Sequence, residues 1–99
     1  MSASDLLTLL SEWYGRQCDG HWEHQAGVVI ETLDNPGWSV KIDLIGTTAE
    51  SKDFEPIKVD EGDSNWMRCA KEGNFFTAFG DPSKLSSILE VFFRFVEVN

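Results

Sequence analysis

Apolar residues recur at helical spacing where the chain begins. In SASDLLTLLSEWYGRQ, Leu6, Leu9, Leu10 and Trp13 fall three or four positions apart and share one face. Ser2 with Asp5 resembles a capping box, with Ser4 as the alternative N-cap, and Gly15 is the expected terminator. The same period returns at the far end, in GDPSKLSSILEVFFRFVEV. There Leu85, Ile88, Leu89, Phe92 and Val96 form the buried stripe of a second helix, and Phe93 and Phe95 widen it, so that helix should be covered on more than one side. Asp81 is its expected N-cap. Pro82 then falls at the first helical position, where a missing N–H is harmless.

Between these helices the segments are short and read as strands. GVVIETLD and WSVKIDLI form a hairpin around NPG. A three-residue loop, Asn35-Pro36-Gly37, sets Ile30 opposite Ile42, Thr32 opposite Val40 and Val28 opposite Leu44. It also pairs Glu31 with Lys41 and asks Gly37 for a positive φ. A two-residue loop would set Glu31 against Ile42. GTTAESKDFEP is a polar connector with room for a short edge strand. PIKVDE and NWMRCAK flank the acidic turn EGDS, and NFFTAFG follows through KEGN, making a second meander.

Helix, four or five antiparallel strands, helix: this order predicts one α+β domain over residues 1–99, a meander sheet with the C-terminal helix packed on it. Helices on one face leave the other face free. Trp66, Phe75 and Phe79 can sit in the core, which is the expected placement, or on the open face as an aromatic patch suited to a protein partner.

Length and charge narrow the function. A chain of 99 residues buries roughly 60–68% of the surface its unfolded form exposes, enough for a core without metal or disulfide staples. Seventeen acids against eight bases give a net charge of −9. That disfavours nucleic acid and anionic membranes, and it suits a basic partner or simply solubility. MSASDLLTLLSEW lacks a basic leader region, and no apolar run approaches the ~20 residues of a membrane span. The expected compartment is the cytoplasm, with Cys18 and Cys69 as free thiols.

The chemically richest stretch is QCDGHWEHQAG. Cys18, His21 and His24 have the spacing C-x-x-H-x-x-H, and Cys69 could supply a fourth zinc ligand. This is not a paired-knuckle spacing, and Gly20 disfavours a continuous helix. Cys18 beside a histidine could be a thiolate–imidazole pair, but no nucleophile elbow or phosphate loop accompanies it. A structural reading accounts for more residues. Asp19-Gly20 is a turn, Trp22 anchors the loop, and Asp19, Glu23 and His24 satisfy nearby backbone groups. No metal and no cofactor is expected.

WYGRQCDGHWEH, GVVIETLDNPGWSVKIDL and GDPSKLSSILEVFFRF resemble the immunity protein 53 family of bacterial polymorphic toxin systems, from about Trp13 to Phe95. IETLDNPGWSVKIDL, from Ile30 to Leu44, is the most specific part. The resemblance implies an inhibitor that binds a cognate toxin domain and blocks it by occupancy, with no catalysis. The family pattern centres on Cys18, Asp19, Gly20, Trp22, Glu23 and His24 and leaves position 21 free. The resemblance carries over no toxin-contact residues. An acidic inhibitor suits a basic toxin such as a nuclease. The candidate contact is VDEGDSNW, with Asp60, Glu61 and Asp63 on a turn beside Trp66, or else a solvated turn whose charges only resist edge pairing. A second candidate is the corner bearing Asp19 and Glu23, with Asp34 nearby. The rival function is a small metal- or thiol-dependent module using Cys18, His21, His24 and Cys69.

Overall fold

The computed structural model describes residues 2–97. Helix α1 spans Ala3–Gln17, capped by Ser2, whose Oγ accepts the Asp5 amide at 3.2 Å. A single helical turn, α2, spans Trp22–Gln25. Strands β1 (Val28–Leu33), β2 (Gly37–Asp43), β3 (Ile57–Asp60), β4 (Trp66–Glu72) and β5 (Phe75–Gly80) follow, then helix α3 (Leu85–Glu97). The expected end of that helix at Val98 lies outside the described residues. The fold is α+β: an N-terminal helix, a five-stranded antiparallel sheet and a C-terminal helix on one of its faces.

The hairpin β1–β2 and the meander β3–β4–β5 both form as expected. They join through β5 against β2, giving the order β1-β2-β5-β4-β3. The connector 44–56 holds turns rather than an edge strand. It is tied down by Lys71, whose Nζ donates to the carbonyls of Glu50 and Lys52.

The core lies between the helices and one sheet face. Val40, Ile42, Cys69, Phe76 and Ala78 point into it from the strands, and Ile88, Leu89, Phe92 and Phe93 from α3. Phe92 packs edge-on against Trp13 of α1 at 5.1 Å and tilts against Phe76 of β5 at 5.2 Å, so one ring joins both helices to the sheet. Burial of Val91, Phe92 and Phe93 in succession means that α3 is covered on more than one side.

Three local expectations are corrected. Helix α1 does not stop at Gly15. It runs to Gln17, because one glycine costs only about 1 kcal/mol against alanine, and the positive φ comes later, at Gly20. Asp81 is not the N-cap of α3 and Pro82 is not its first residue, because Asp81-Pro82-Ser83 forms a separate turn before Leu85. The hairpin register also differs. Val28 faces Ile42, Ile30 faces Val40, Thr32 faces Trp38, and Glu31 faces Ser39 rather than Lys41.

The loop is therefore Asp34-Asn35-Pro36, and Gly37 enters β2 without a positive φ. Gly37 is needed for space instead. A Cβ there would overlap the Gly80 carbonyl and press on the Trp66 ring. Lys41, freed from Glu31, lies over the Phe75 ring at 4.2 Å, a cation–π contact.

Candidate functional site

The corner at residues 18–26 is closed on itself. Asp19 Oδ1 accepts the amides of His21 (2.9 Å) and Trp22 (3.0 Å), capping the short helix α2. Glu23 reaches back and accepts the amides of Asp19 (3.0 Å) and Gly20 (2.9 Å). This is the reciprocal logic of a capping box. The amides of Trp22 and His21 hold Asp19 below the usual carboxylate range, and those of Glu23, Asp19 and Gly20 do the same for Glu23. Trp22 is 6% exposed; its Nε1 donates to the Ile45 carbonyl at 2.8 Å, and its ring meets Trp13 edge-on at 6.0 Å.

The proposed ligands do not gather there. Cys18 is exposed and donates to the Tyr14 carbonyl at 3.3 Å. Cys69 is buried in the core, where desolvation pushes its thiol up to about 11. Among the described residues, no three Cys, His, Asp or Glu side chains converge as metal ligands.

The sheet face away from the helices is different. Partners in a ladder share a face. Inward Met67 and Cys69 therefore force Trp66 and Arg68 outward, and inward Phe76 and Ala78 force Phe75 and Phe79 outward. The expected core placement of Trp66, Phe75 and Phe79 is thus overturned: all three lie on the open face, with Phe79 40% exposed. Next to Phe79 stand Arg68 and Ser39.

At one end of this face is a shallow hollow of about 460 Å³, lined among others by Leu33, Asp60, Asp63, Trp66, Arg68 and Phe79. Asp60 stands directly across from Trp66. The acidic turn is shaped by Gly62, with φ +105°, and by Asn65, whose amide donates to Gly62 and whose side chain donates to Glu61 Oε1 at 2.7 Å. Glu61 is thereby tied to its own turn. Among the described residues, no protein group is hydrogen-bonded to the carboxylates of Asp60 or Asp63.

Trp66 is held in place from behind. The carboxylate of Asp81, 1% exposed, accepts the Trp66 amide at 2.8 Å, and the Asp81 amide donates to the Trp66 carbonyl at 3.1 Å. Ser83 donates to the same carboxylate through N and Oγ, and Lys84 pairs with it at 2.8 Å. Lys84, then Ser83 and the Trp66 amide, hold this carboxyl far below its ordinary range.

The model of immunity protein 53 matches residues 7–97. The chain belongs to that family. No curated protein and no solved structure matches it.

In this immunity protein 53 member the candidate contact residues fall in three places. Asp60, Asp63 and Trp66 come together at the open end of the sheet, and Glu61 stands on the same turn. Asp19 and Glu23 are occupied in the corner. Asp34 does not join them: it sits in the β1–β2 turn, at the other end of the hairpin from Gly27, and its neighbours Leu33 and Asn35 line the hollow. Arg68, Leu33 and Lys58, which faces Arg68, were not singled out from the sequence. The signal that could have found Arg68 is the alternation in WMRCAKE, which puts it beside Trp66 once Met67 and Cys69 are taken as core.

Proposed function

We propose that this immunity protein 53 family member neutralises a cognate toxin domain by occupancy, without chemistry of its own, and meets it through the open end of the sheet around Trp66. Family membership supports the immunity role. One observation carries the choice of surface: Trp66 and Phe79 are aromatic rings outside the core, rimmed by Asp60 and Asp63, whose carboxylates bond no described protein group. Rings of this kind are frequent anchors at interface centres, and unpaired acids around them steer a basic partner. A basic toxin, such as a nuclease, fits this surface and the net charge of −9. The protein would act in the cytoplasm. No described helix is long and apolar enough to cross a membrane.

The test is a triple change, Asp60→Asn, Glu61→Gln and Asp63→Asn, assayed with the toxin encoded beside this chain. Association should slow at low salt and depend less on salt, and protection of toxin-expressing cells should weaken. Unchanged rates and unchanged survival would remove this turn from the interface.

A further inference from the structure

The two edges of the sheet are built differently. Edge strand β3 offers four residues, follows Pro56 and carries Lys58 and Asp60, features that discourage pairing with another chain. Edge strand β1 offers six residues, of which only Glu31 is charged. It leaves Val29 48% and Ile30 36% exposed, one on each face.

The outward backbone groups of β1 can be assigned. The Asp43 amide donates to the Gly27 carbonyl at 3.0 Å, which makes that pair hydrogen-bonded. Antiparallel ladders alternate, so Val29, Glu31 and Leu33 bond to β2, whereas Val28, Ile30 and Thr32 turn their N–H and C=O groups away from the sheet.

On β1 itself Glu31 is the one charged residue, and Lys41, across from Val29 on β2, lies over the Phe75 ring. Between Arg16 and Lys41 the chain carries Asp19, Glu23, Glu31 and Asp34 and no Lys or Arg. A second copy would bring the same acids and another net charge of −9 to the contact. A basic strand would be attracted. Leu33, at the end of β1, lines the hollow beside Trp66, so an added strand would continue the surface already assigned to the toxin.

We propose that β1 is a docking strand: an extended segment of the toxin, with Lys or Arg opposite Glu31 and apolar residues opposite Val29 and Ile30, adds to the sheet beyond β1. Backbone hydrogen bonds supply the pairing, and the Glu31 position supplies part of the selectivity. This rests on the toxin-binding reading above.

The experiment measures affinity for the toxin domain encoded beside this chain, in a catalytically inactivated form. Thr32→Pro removes an outward N–H while sparing the β2 ladder. Glu31→Lys reverses the edge charge without touching the backbone, and Thr32→Val retains the N–H. Circular dichroism and melting establish folding, and if Thr32→Pro fails to fold, Glu31→Lys alone decides.

Folded Thr32→Pro and Glu31→Lys should each bind about tenfold more weakly or worse, with Thr32→Val unchanged. Wild-type affinity in the folded variants overturns the docking strand and leaves the toxin-binding reading standing. A wild-type chain that binds no toxin overturns both. Sedimentation of the wild type as a dimer that Thr32→Pro dissociates assigns the edge to a second copy and overturns the proposal.

Discussion

The corner at residues 18–26 and the open end of the sheet hold similar residues in opposite states. Each has a tryptophan and a pair of carboxylates. In the corner, Trp22 is buried and Asp19 and Glu23 accept four of the loop's own amides. At the sheet end, Trp66 is only partly covered, and Asp60 and Asp63 accept from no described protein group. Composition alone would favour the corner as the working site, since it adds two histidines and a thiol. What separates the two regions is whether the polar groups are already satisfied. A carboxylate bonded to its own loop is stabilising the fold, and one facing water beside an aromatic ring is available to a partner.

This contrast can be broken by substitution. The largest effect is expected for Trp22→Ala, a loss of about 3–5 kcal/mol for removing a buried aromatic ring, read by urea unfolding. A loss below about 1 kcal/mol would mean that the corner is not anchored by this ring. Gly37→Val should follow, at about 1–3 kcal/mol for forcing side-chain atoms into filled space, because its Cβ would meet the Gly80 carbonyl. Trp66→Ala should weaken toxin binding by about 2 kcal/mol while altering the urea midpoint far less than Trp22→Ala. The reverse pattern would make Trp66 structural.

Acid sharpens the comparison further. Asp81, Asp19 and Glu23 all have lowered folded-state values. Their stabilisation is therefore complete above the ordinary carboxylate range near pH 4 and drains away as pH falls through the lowered values. Melting temperature should drop on acidification below about pH 4, and Asp81→Asn should show a shallower drop from a lower starting point. An unchanged slope in that variant would place the acid sensitivity elsewhere. The smallest effect belongs to His21→Ala, within about 0.5 kcal/mol as for most surface changes, since the His21 side chain caps nothing.

Much of the fold was legible in the sequence, because helix stripes and strand parity are set by burial. Leu6, Trp13, Ile88 and Phe92 lie where their spacing puts them. The hairpin register was not legible. The observed and expected registers differ by two residues, and a two-residue slip keeps every side chain on its face. Hydrophobic pattern cannot tell them apart, and the plausible Glu31–Lys41 pair favoured the wrong one. Asp81 departs from its local sequence signal for a related reason. An Asp-Pro pair before an apolar stripe is a good local cap signal, and the contact that overrides it is with Trp66, fifteen positions earlier. The acidic turn beside Trp66 could be read locally. The outward placement of Phe79 could be read only after Phe76 and Ala78 had been assigned inward.

The same two-residue ambiguity bears on the order of events in folding. An isolated β1–β2 hairpin buries nearly the same side chains in either register, so it has little reason to choose. The choice should be enforced when β5 arrives, pairs Gly80 with Trp38 and lays the Gly80 carbonyl against Gly37, a place where a Cβ is not tolerated. Strand pairing across some forty residues of sequence thus proofreads a turn of three. The first hairpin is therefore expected to be fixed late, with the closure of β5 between β2 and β4 as the consolidating step. In Gly37→Val that step should be the one that slows on refolding, while initial collapse proceeds at its usual rate.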